Sequence, residues 1–91
     1  MEVKIVKEEK NLIKIEFRDK DKHTIPNLLC WELNKDPRVI TAGYKVEHPL
    51  RENVEIFVKV REGDPKEVIK ETIEKINKML NEFLNAWSKR V

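Results

Sequence analysis

In the segment Leu12-Ile13-Lys14-Ile15-Glu16-Phe17-Arg18, apolar and charged side chains alternate from Ile13 to Arg18. Strict alternation over four to eight residues is typical of a half-buried β-strand. A shorter alternation at residues 3–7 precedes it, and the polar turn Glu8-Glu9-Lys10-Asn11 lies between the two. The two segments therefore predict a β-hairpin, with Ile13, Ile15 and Phe17 on the inward face of its second strand.

The same pattern returns twice further along the chain, at residues 39–46 and 54–61. In the first of these strands the predicted inward residues are Ile40, Ala42, Tyr44 and Val46. In the second they are Val54, Ile56, Val58 and Val60. Phe57 falls on the opposite face with Glu55 and Lys59. Gly43 is unusual inside a strand and predicts either a bulge or a close approach of another group to the backbone.

Two segments have helical spacing. The first is predicted to begin at Thr24, whose hydroxyl can accept an N–H group of the first turn. Pro26 is tolerated in that turn, and Asp36-Pro37 ends the helix because the residue before proline avoids helical geometry. The second begins at Asp64-Pro65-Lys66-Glu67, with an Asp cap and Pro at the first helical position, and runs to about Lys89.

The order of elements is strand, strand, helix, strand, strand, helix. Two hairpins with helices gathered on one face predict a two-layer α+β sandwich: a four-stranded antiparallel sheet, a short first helix and a long C-terminal helix. Ninety-one residues are too few for two cores, so we expect residues 1–91 to form a single domain.

Composition limits the possible functions. Charged residues make up 40% of the chain, but the net charge is only +2, which is too balanced for a typical nucleic-acid-binding domain. Cys30 is the only cysteine and cannot form an internal disulfide, which favours a reducing cytoplasm. No apolar run approaches the ~20 residues of a membrane span, and we expect no signal peptide.

The C-terminal helix is predicted to be too long for its own sheet. A helix of about 25 residues is roughly 37 Å long, whereas strands of six to eight residues span only about 20–26 Å. Its apolar stripe continues into the last third of the helix, which is predicted to extend past the sheet. The stripe consists of Ile69, Ile73, Ile76, Leu80, Phe83, Leu84 and Trp87. A partner that covers the stripe is the favoured interpretation. A helix that crosses its sheet diagonally is the alternative, and a homodimer fits the pattern as well as a heterodimer does.

The chain offers little chemistry of its own. His23 lies near Asp19 and Asp21 in sequence, and His48 follows the third strand, but neither has a recognisable nucleophile beside it. Two separated histidines and Cys30 form no known metal-ligand pattern, and there is no glycine-rich phosphate loop. We therefore expect no catalytic, metal or cofactor site. Phe57 is a lone aromatic on its face, which is weak evidence for RNA stacking.

Two phrases carry a family resemblance. They are Asp21-Lys22-His23-Thr24-Ile25-Pro26-Asn27-Leu28-Leu29 and Ala42-Gly43-Tyr44-Lys45-Val46-Glu47-His48-Pro49-Leu50. The chain resembles archaeal RNA polymerase subunit L, and the first phrase is similar to one in the assembly domain of the bacterial alpha subunit. The residues that match the family motif are His23, Thr24, Asn27, Leu29, Gly43, Tyr44, His48 and Pro49. Lys22, Pro26 and Glu47 depart from it.

The resemblance implies a non-catalytic assembly subunit of DNA-dependent RNA polymerase. It implies a heterodimer with the archaeal D subunit, on which the large catalytic subunits assemble, without direct sequence-specific contact to nucleic acid and without a membrane. The expected interface residues are Leu28, Leu29, Ile76, Leu80, Phe83, Leu84 and Trp87. Cys30 and Trp31 replace an arginine pair of the bacterial alpha subunit, so its contact to a large subunit is not carried over.

Two alternatives remain open at this point. One is a small homodimeric enzyme with the same element order, such as a pterin carbinolamine dehydratase, although Glu47-His48-Pro49 supplies one histidine where those enzymes have an adjacent pair. The other is a small nucleic-acid-binding module.

Overall fold

A computed structural model describes residues 1–46 and 50–90 of the chain. Its elements are β1 Val3–Glu8, β2 Leu12–Arg18, α1 Thr24–Lys35, β3 Val39–Val46, β4 Asn53–Val60 and α2 Pro65–Ser88. The strands form one antiparallel sheet in the order β1-β2-β4-β3. The predicted element order and the sandwich of sheet and helices are confirmed. The family-motif residues His48 and Pro49 lie outside the described residues.

The core lies between one face of the sheet and the two helices. β2 contributes Ile13 and Phe17, and β4 contributes four buried residues that alternate along the strand: Val54, Ile56, Val58 and Val60. The helices supply Leu29, Leu33 and Val68, among others. Complete burial of one such side chain contributes about 1.5–3 kcal/mol to folding. The alternation in β2 and β4 therefore identifies the buried face correctly.

β1 lies at the edge of the sheet and is exposed along its whole length. Its inward residues Val3 and Ile5 each keep more than half of their surface exposed. The helices lie over the other three strands, and the strongest helix–sheet packing is between α1 and β3. The helical layer therefore leaves one strand of the sheet uncovered.

β3 is irregular at its start, where the pairing with β4 shifts between Val39 and Thr41. The prediction that Ile40 shares the inward face with Ala42 is wrong. This bulge makes Val39 the buried residue and leaves Ile40 48% exposed. Gly43 is instead a point of close approach, because an added Cβ would lie 2.7 Å from Cζ of Phe57.

The edge formed by β3 is closed by α1. The side chain of Asn34 donates to the carbonyl of Ala42 and accepts from the N–H of the same residue, both at 2.9 Å. Unpaired backbone groups on an edge strand can pair with other chains, and covering them with a helix prevents this. The two edges of the sheet therefore differ, because α1 covers β3 and neither helix covers β1.

The predicted cap at the start of α1 is wrong. Thr24 does not cap the helix with its hydroxyl. The carboxylate of Asp21 accepts the N–H groups of His23 and Thr24, both at 3.0 Å, and also accepts the hydroxyl of Thr24. A carboxylate holds first-turn N–H groups more strongly than a neutral hydroxyl does, and the hydroxyl then donates instead of accepting.

The remaining helix boundaries agree with the predictions. α1 ends at Lys35, and Asp36 takes an extended conformation before Pro37 while its N–H donates to the carbonyl of Leu33. Asp64 caps α2 by accepting the N–H of Lys66 at 3.0 Å, and Pro65 is the first helical residue.

Candidate partner interface

α2 divides into a buried part and an exposed part. At 24 residues it is about 36 Å long, and its buried residues Pro65, Val68, Ile69 and Thr72 all lie in its first third. Ile76 is half-buried against the core. From Asn77 to Ser88 every residue of the helix is exposed. The helix therefore extends past the packed body, as its length predicts.

The exposed part carries large apolar side chains on adjoining turns. We call this set the C-terminal stripe: Met79, Leu80, Phe83, Leu84 and Trp87. Their exposed fractions range from 49% for Met79 to 72% for Phe83. Single exposed apolar residues are common on protein surfaces, but a continuous patch of this kind marks a binding site or an aggregation hazard.

A second apolar surface adjoins the first part of α2. An open groove of about 310 Å³ lies between the bare face of β1 and the two helices. We call it the β1 groove. Its floor is formed by core residues such as Phe17 and Leu29, and its walls by exposed residues: Val3, Ile5, Ile25 and Ile73. Ile73 lies one turn before Ile76 on α2. The same helix therefore contributes residues to both the β1 groove and the C-terminal stripe.

The β1 groove is not predicted by the sequence patterns. Alternation places Val3 and Ile5 in a half-buried strand, and helical spacing places Ile25 on the apolar face of α1. One feature of the sequence could have indicated the groove. Each helix carries an isoleucine at the margin of its buried face, Ile25 on α1 and Ile73 on α2. The pattern of one strand does not show whether a helix lies over it, because that depends on where the helices cross the sheet.

The expected interface residues of α1 fall into different environments. Leu28 is exposed, whereas Leu29 keeps only 6% of its surface and belongs to the core. Leu29 therefore offers a partner only the small surface that it exposes at the floor of the β1 groove, whereas Leu28 and Ile25 are exposed on the same helix. Trp31 is also exposed, and the ammonium group of Lys35 lies 5.2 Å from its ring centroid.

Ion pairs connect the two helices where they meet. The buried carboxylate of Glu32 on α1 lies 3.2 Å from Nζ of Lys35 and 3.6 Å from Nζ of Lys75 on α2. Arg38 contacts Asp36 at 2.8 Å and Glu71 of α2 at 2.6 Å. The hydrogen bond from Arg38 lowers the pKa of Asp36. Lys35, Lys75 and Glu71 are more than half exposed, so these ion pairs contribute only modestly to stability, and we assign them to fixing the direction in which α2 leaves the body.

The two motif phrases meet in the folded chain. Nδ1 of His23 lies 2.8 Å from the hydroxyl of Tyr44, and the rings pack edge to face with centroids 5.8 Å apart. The N–H of Asn27 donates to the carbonyl of His23 in the first turn of α1. Gly43, beside Tyr44, lies against Phe57. The contact between His23 and Tyr44 joins the start of α1 to β3.

At this junction, hydrogen bonds from neighbouring residues shift the pKa of one carboxyl group. The pKa of Asp21 is lowered from 3.8 to about 2, first by the hydrogen bond from the Thr24 hydroxyl and then by the N–H groups of His23 and Thr24. Asp21 thus contacts the backbone of His23, and the ring of His23 contacts Tyr44. This arrangement positions a helix start and lacks the base–nucleophile contact that catalysis needs.

Other candidate chemistry is not supported within residues 1–46 and 50–90. Burial raises the pKa of Cys30 to about 11, which keeps its thiol protonated and unreactive. In that part of the chain, no group of three or more His, Cys, Asp or Glu side chains is placed to hold a metal ion. The helices described there are also not long and apolar enough to cross a membrane.

Known proteins that are similar to this chain in sequence include subunits of RNA polymerase. Residues 12–86 match the family described as the RNA polymerase Rpb3/Rpb11 dimerisation domain. The chain is 34% identical to DNA-directed RNA polymerase subunit Rpo11 of Methanothrix thermoacetophila, over 100% of this chain and 99% of the relative. It is also 34% identical to the Rpo11 subunit of Pyrococcus furiosus, over 100% of this chain and 98% of the relative.

More distant organisms and solved structures extend the similarity. RNA polymerase II subunit RPB11 of Schizosaccharomyces pombe is 38% identical over 76% of this chain and 60% of its own length. The crystal structure of RNA polymerase subunit L from Thermoplasma acidophilum superposes with a TM-score of 0.86 at 30% identity. That match covers 98% of this chain and 87% of the crystallised chain.

Proposed function

Because this chain belongs to the RNA polymerase Rpb3/Rpb11 dimerisation domain family, we propose that it is a non-catalytic assembly subunit of DNA-dependent RNA polymerase. Full-length similarity to Rpo11 subunits supports this role. The chain takes part in nucleotidyl transfer only as a member of the polymerase complex, and other subunits supply the active site.

One observation carries the proposal, namely that the C-terminal stripe is exposed on a helix that extends beyond its own sheet. Removing one large apolar side chain from water contributes about 1.5–3 kcal/mol. Trp87 and Phe83 are of the kind that dominate binding energy at interfaces when they are buried at the centre. A partner that covers this surface gains enough to offset the loss of translational and rotational freedom on association.

We further propose that the partner is the D subunit of an archaeal polymerase, and that the heterodimer is the platform for the large catalytic subunits. The family resemblance supports this choice, since exposure alone does not identify a partner. The proposed contact residues are those of the C-terminal stripe together with Ile76 and Leu28 and, at the bottom of the β1 groove, Leu29. The whole chain, residues 1–91, then acts as one assembly domain in the cytoplasm.

The family-motif residues have a structural role in this proposal. His23, Thr24 and Asn27 shape the start of α1, Tyr44 links that start to β3, and Gly43 leaves room for Phe57 on the outer face of the sheet. The small-enzyme alternative has no support from the comparisons, because the relatives described above are polymerase subunits.

Coexpression with the D subunit tests the proposal. We expect the two polypeptides to elute together from a sizing column. Changing Phe83→Ala and Trp87→Ala together removes two central contacts and weakens the pair by at least about 100-fold, measured by calorimetric titration.

The matched control changes two exposed apolar residues outside the stripe and the groove, Val6→Ala and Ile40→Ala. This variant should pair with the D subunit as tightly as the unchanged chain does. Separate elution of the two unchanged polypeptides would overturn the proposed function.

A further inference from the structure

The outer face of the sheet, turned away from the helices, is strongly cationic. The strand pairing places alternate residues of all four strands on this face. Its cations are Lys4, Lys7, Lys14, Arg18, Lys45 and Lys59. Its carboxylates are Glu16 and Glu55. Six cations and two carboxylates give this face a net charge of +4, whereas the whole chain carries only +2. The remainder of the chain therefore carries −2, and the charge is segregated between the two sides of the molecule.

The two carboxylates are covered by their neighbours. Glu55 keeps only 8% of its surface, and Oε1 lies 4.0 Å from Nζ of both Lys14 and Lys45. Glu16 accepts a hydrogen bond of 2.8 Å from the side-chain amide of Asn53. The groups that reach furthest into solvent on this face are consequently ammonium and guanidinium groups.

Pairs across the strands balance only part of this charge, since Lys4 lies opposite Glu16 and Lys45 lies opposite Glu55. Lys7 lies directly opposite Lys14 across the β1–β2 pair, and like charges in that position destabilise a sheet. Lys7 has an ion pair with Glu9 at 3.1 Å, which lies beyond the strand in the turn. The face therefore keeps a net positive charge that its own carboxylates do not neutralise.

An apolar contact point lies within this charged face. Phe57 is the residue of β4 that pairs with Lys14 on one side and Gly43 on the other. Its ring lies flat enough against Gly43 that a Cβ there would overlap it, and it remains half-buried. The face therefore combines a ring of cations with one aromatic side chain near its middle.

We propose that the outer face of the sheet docks a carboxylate-rich surface of another protein subunit of the polymerase. This rests on the proposed function, and it assigns the two sides of the chain to different partners. The helical side binds through apolar burial, whereas the sheet side binds through charge complementarity, which gives specificity and fast association.

A protein partner fits this face better than nucleic acid does. Sheets that bind single-stranded nucleic acid stack two or three bases on neighbouring aromatic residues, whereas this face offers only Phe57 among its described residues. Carboxylates at the rim of a protein partner can reach the outer lysines while an apolar side chain meets Phe57.

Reconstitution of the polymerase from separate subunits tests this proposal. The face variant carries Lys4→Glu and Lys59→Glu, two exposed cations at opposite ends of the face. The control variant carries Lys70→Glu and Lys78→Glu, two exposed cations on α2, and has the same net charge. Both variants should still pair with the D subunit. Incorporation of the face variant into the full polymerase should fall at least about 10-fold at moderate salt, with the control unaffected.

A direct probe separates the two classes of partner. The heterodimer is titrated with poly-L-glutamate and with a thymidine 20-mer at low salt. We expect poly-L-glutamate to bind and the face variant to lose that binding. Equal incorporation of both variants overturns the proposal, and so does a thymidine 20-mer that binds more tightly than poly-L-glutamate and is lost in the face variant. Failure of the unchanged chain to pair with the D subunit would instead contradict the proposed function.

Discussion

At the scale of single residues, Asp21 organises the junction that the two motif phrases share. Its carboxylate accepts the N–H groups of His23 and Thr24 and the hydroxyl of Thr24. His23 is then held where its ring contacts Tyr44 of β3. One carboxylate thereby fixes both the start of α1 and the position of that helix on the sheet.

Replacing Asp21 by Asn tests this role through its pH dependence. The pKa of Asp21 is depressed in the folded chain to about 2, so its contribution to stability is complete above the unfolded value near 4. That contribution is lost as the pH falls from about 4 to about 2, because the carboxyl then becomes neutral in both states. We expect Asp21→Asn to lower the Tm at pH 7, and the difference from the unchanged chain to narrow progressively below pH 4. A difference in Tm that is the same at pH 7 and pH 2 would contradict this role.

At the scale of elements, α2 combines a buried surface and the proposed binding surface in one continuous pattern. Its apolar residues keep their spacing from Ile69 to Trp87, yet only the first third is buried by this chain. The sheet ends before the helix does, and the ion pairs of Glu32 and Arg38 with Lys75 and Glu71 hold the helix along that direction. The second half of the pattern is exposed, and we propose that it forms the contact with the partner.

Two substitutions on α2 compare how much each half of the helix contributes to the stability of the isolated chain. Ile69→Ala removes a core side chain and should lower the free energy of unfolding of the isolated chain by about 2 kcal/mol or more. Leu80→Ala removes an exposed side chain and should change it by no more than about 0.5 kcal/mol. Urea denaturation of the isolated chain measures both. Equal losses would show that the chain covers its own C-terminal stripe.

Much of this fold is predictable from local patterns. Alternation in β2 and β4, the cap at Asp64 and the stop at Asp36-Pro37 depend on residues close together in sequence, and the structure confirms each of them. The bulge at Ile40 is not predictable in this way, because it depends on how β3 pairs with β4. The β1 groove depends likewise on where α1 and α2 cross the sheet. For the interface, the length of α2 predicts that its second half is exposed. The burial of Leu29 is not predictable in this way.

At the scale of the whole molecule, the two layers present different surfaces. The helical side has uncovered apolar area in the C-terminal stripe and the β1 groove, while the sheet side carries a net charge of +4. A chain of 91 residues has a small core, so contacts with other subunits add substantially to its stability. We therefore propose that both surfaces are covered when the chain assembles with other subunits.

The most direct measurement follows the fluorescence of Trp87 when the D subunit binds. The chain has two tryptophans, so the measurement uses a Trp31→Phe variant in which Trp87 is the only one. Trp87 is more than half exposed in the isolated chain, which predicts a red-shifted emission maximum. Addition of the D subunit should shift that maximum to shorter wavelength and protect the ring from acrylamide quenching. An emission spectrum and quenching rate that stay the same in a demonstrated heterodimer would contradict burial of the C-terminal stripe by the partner.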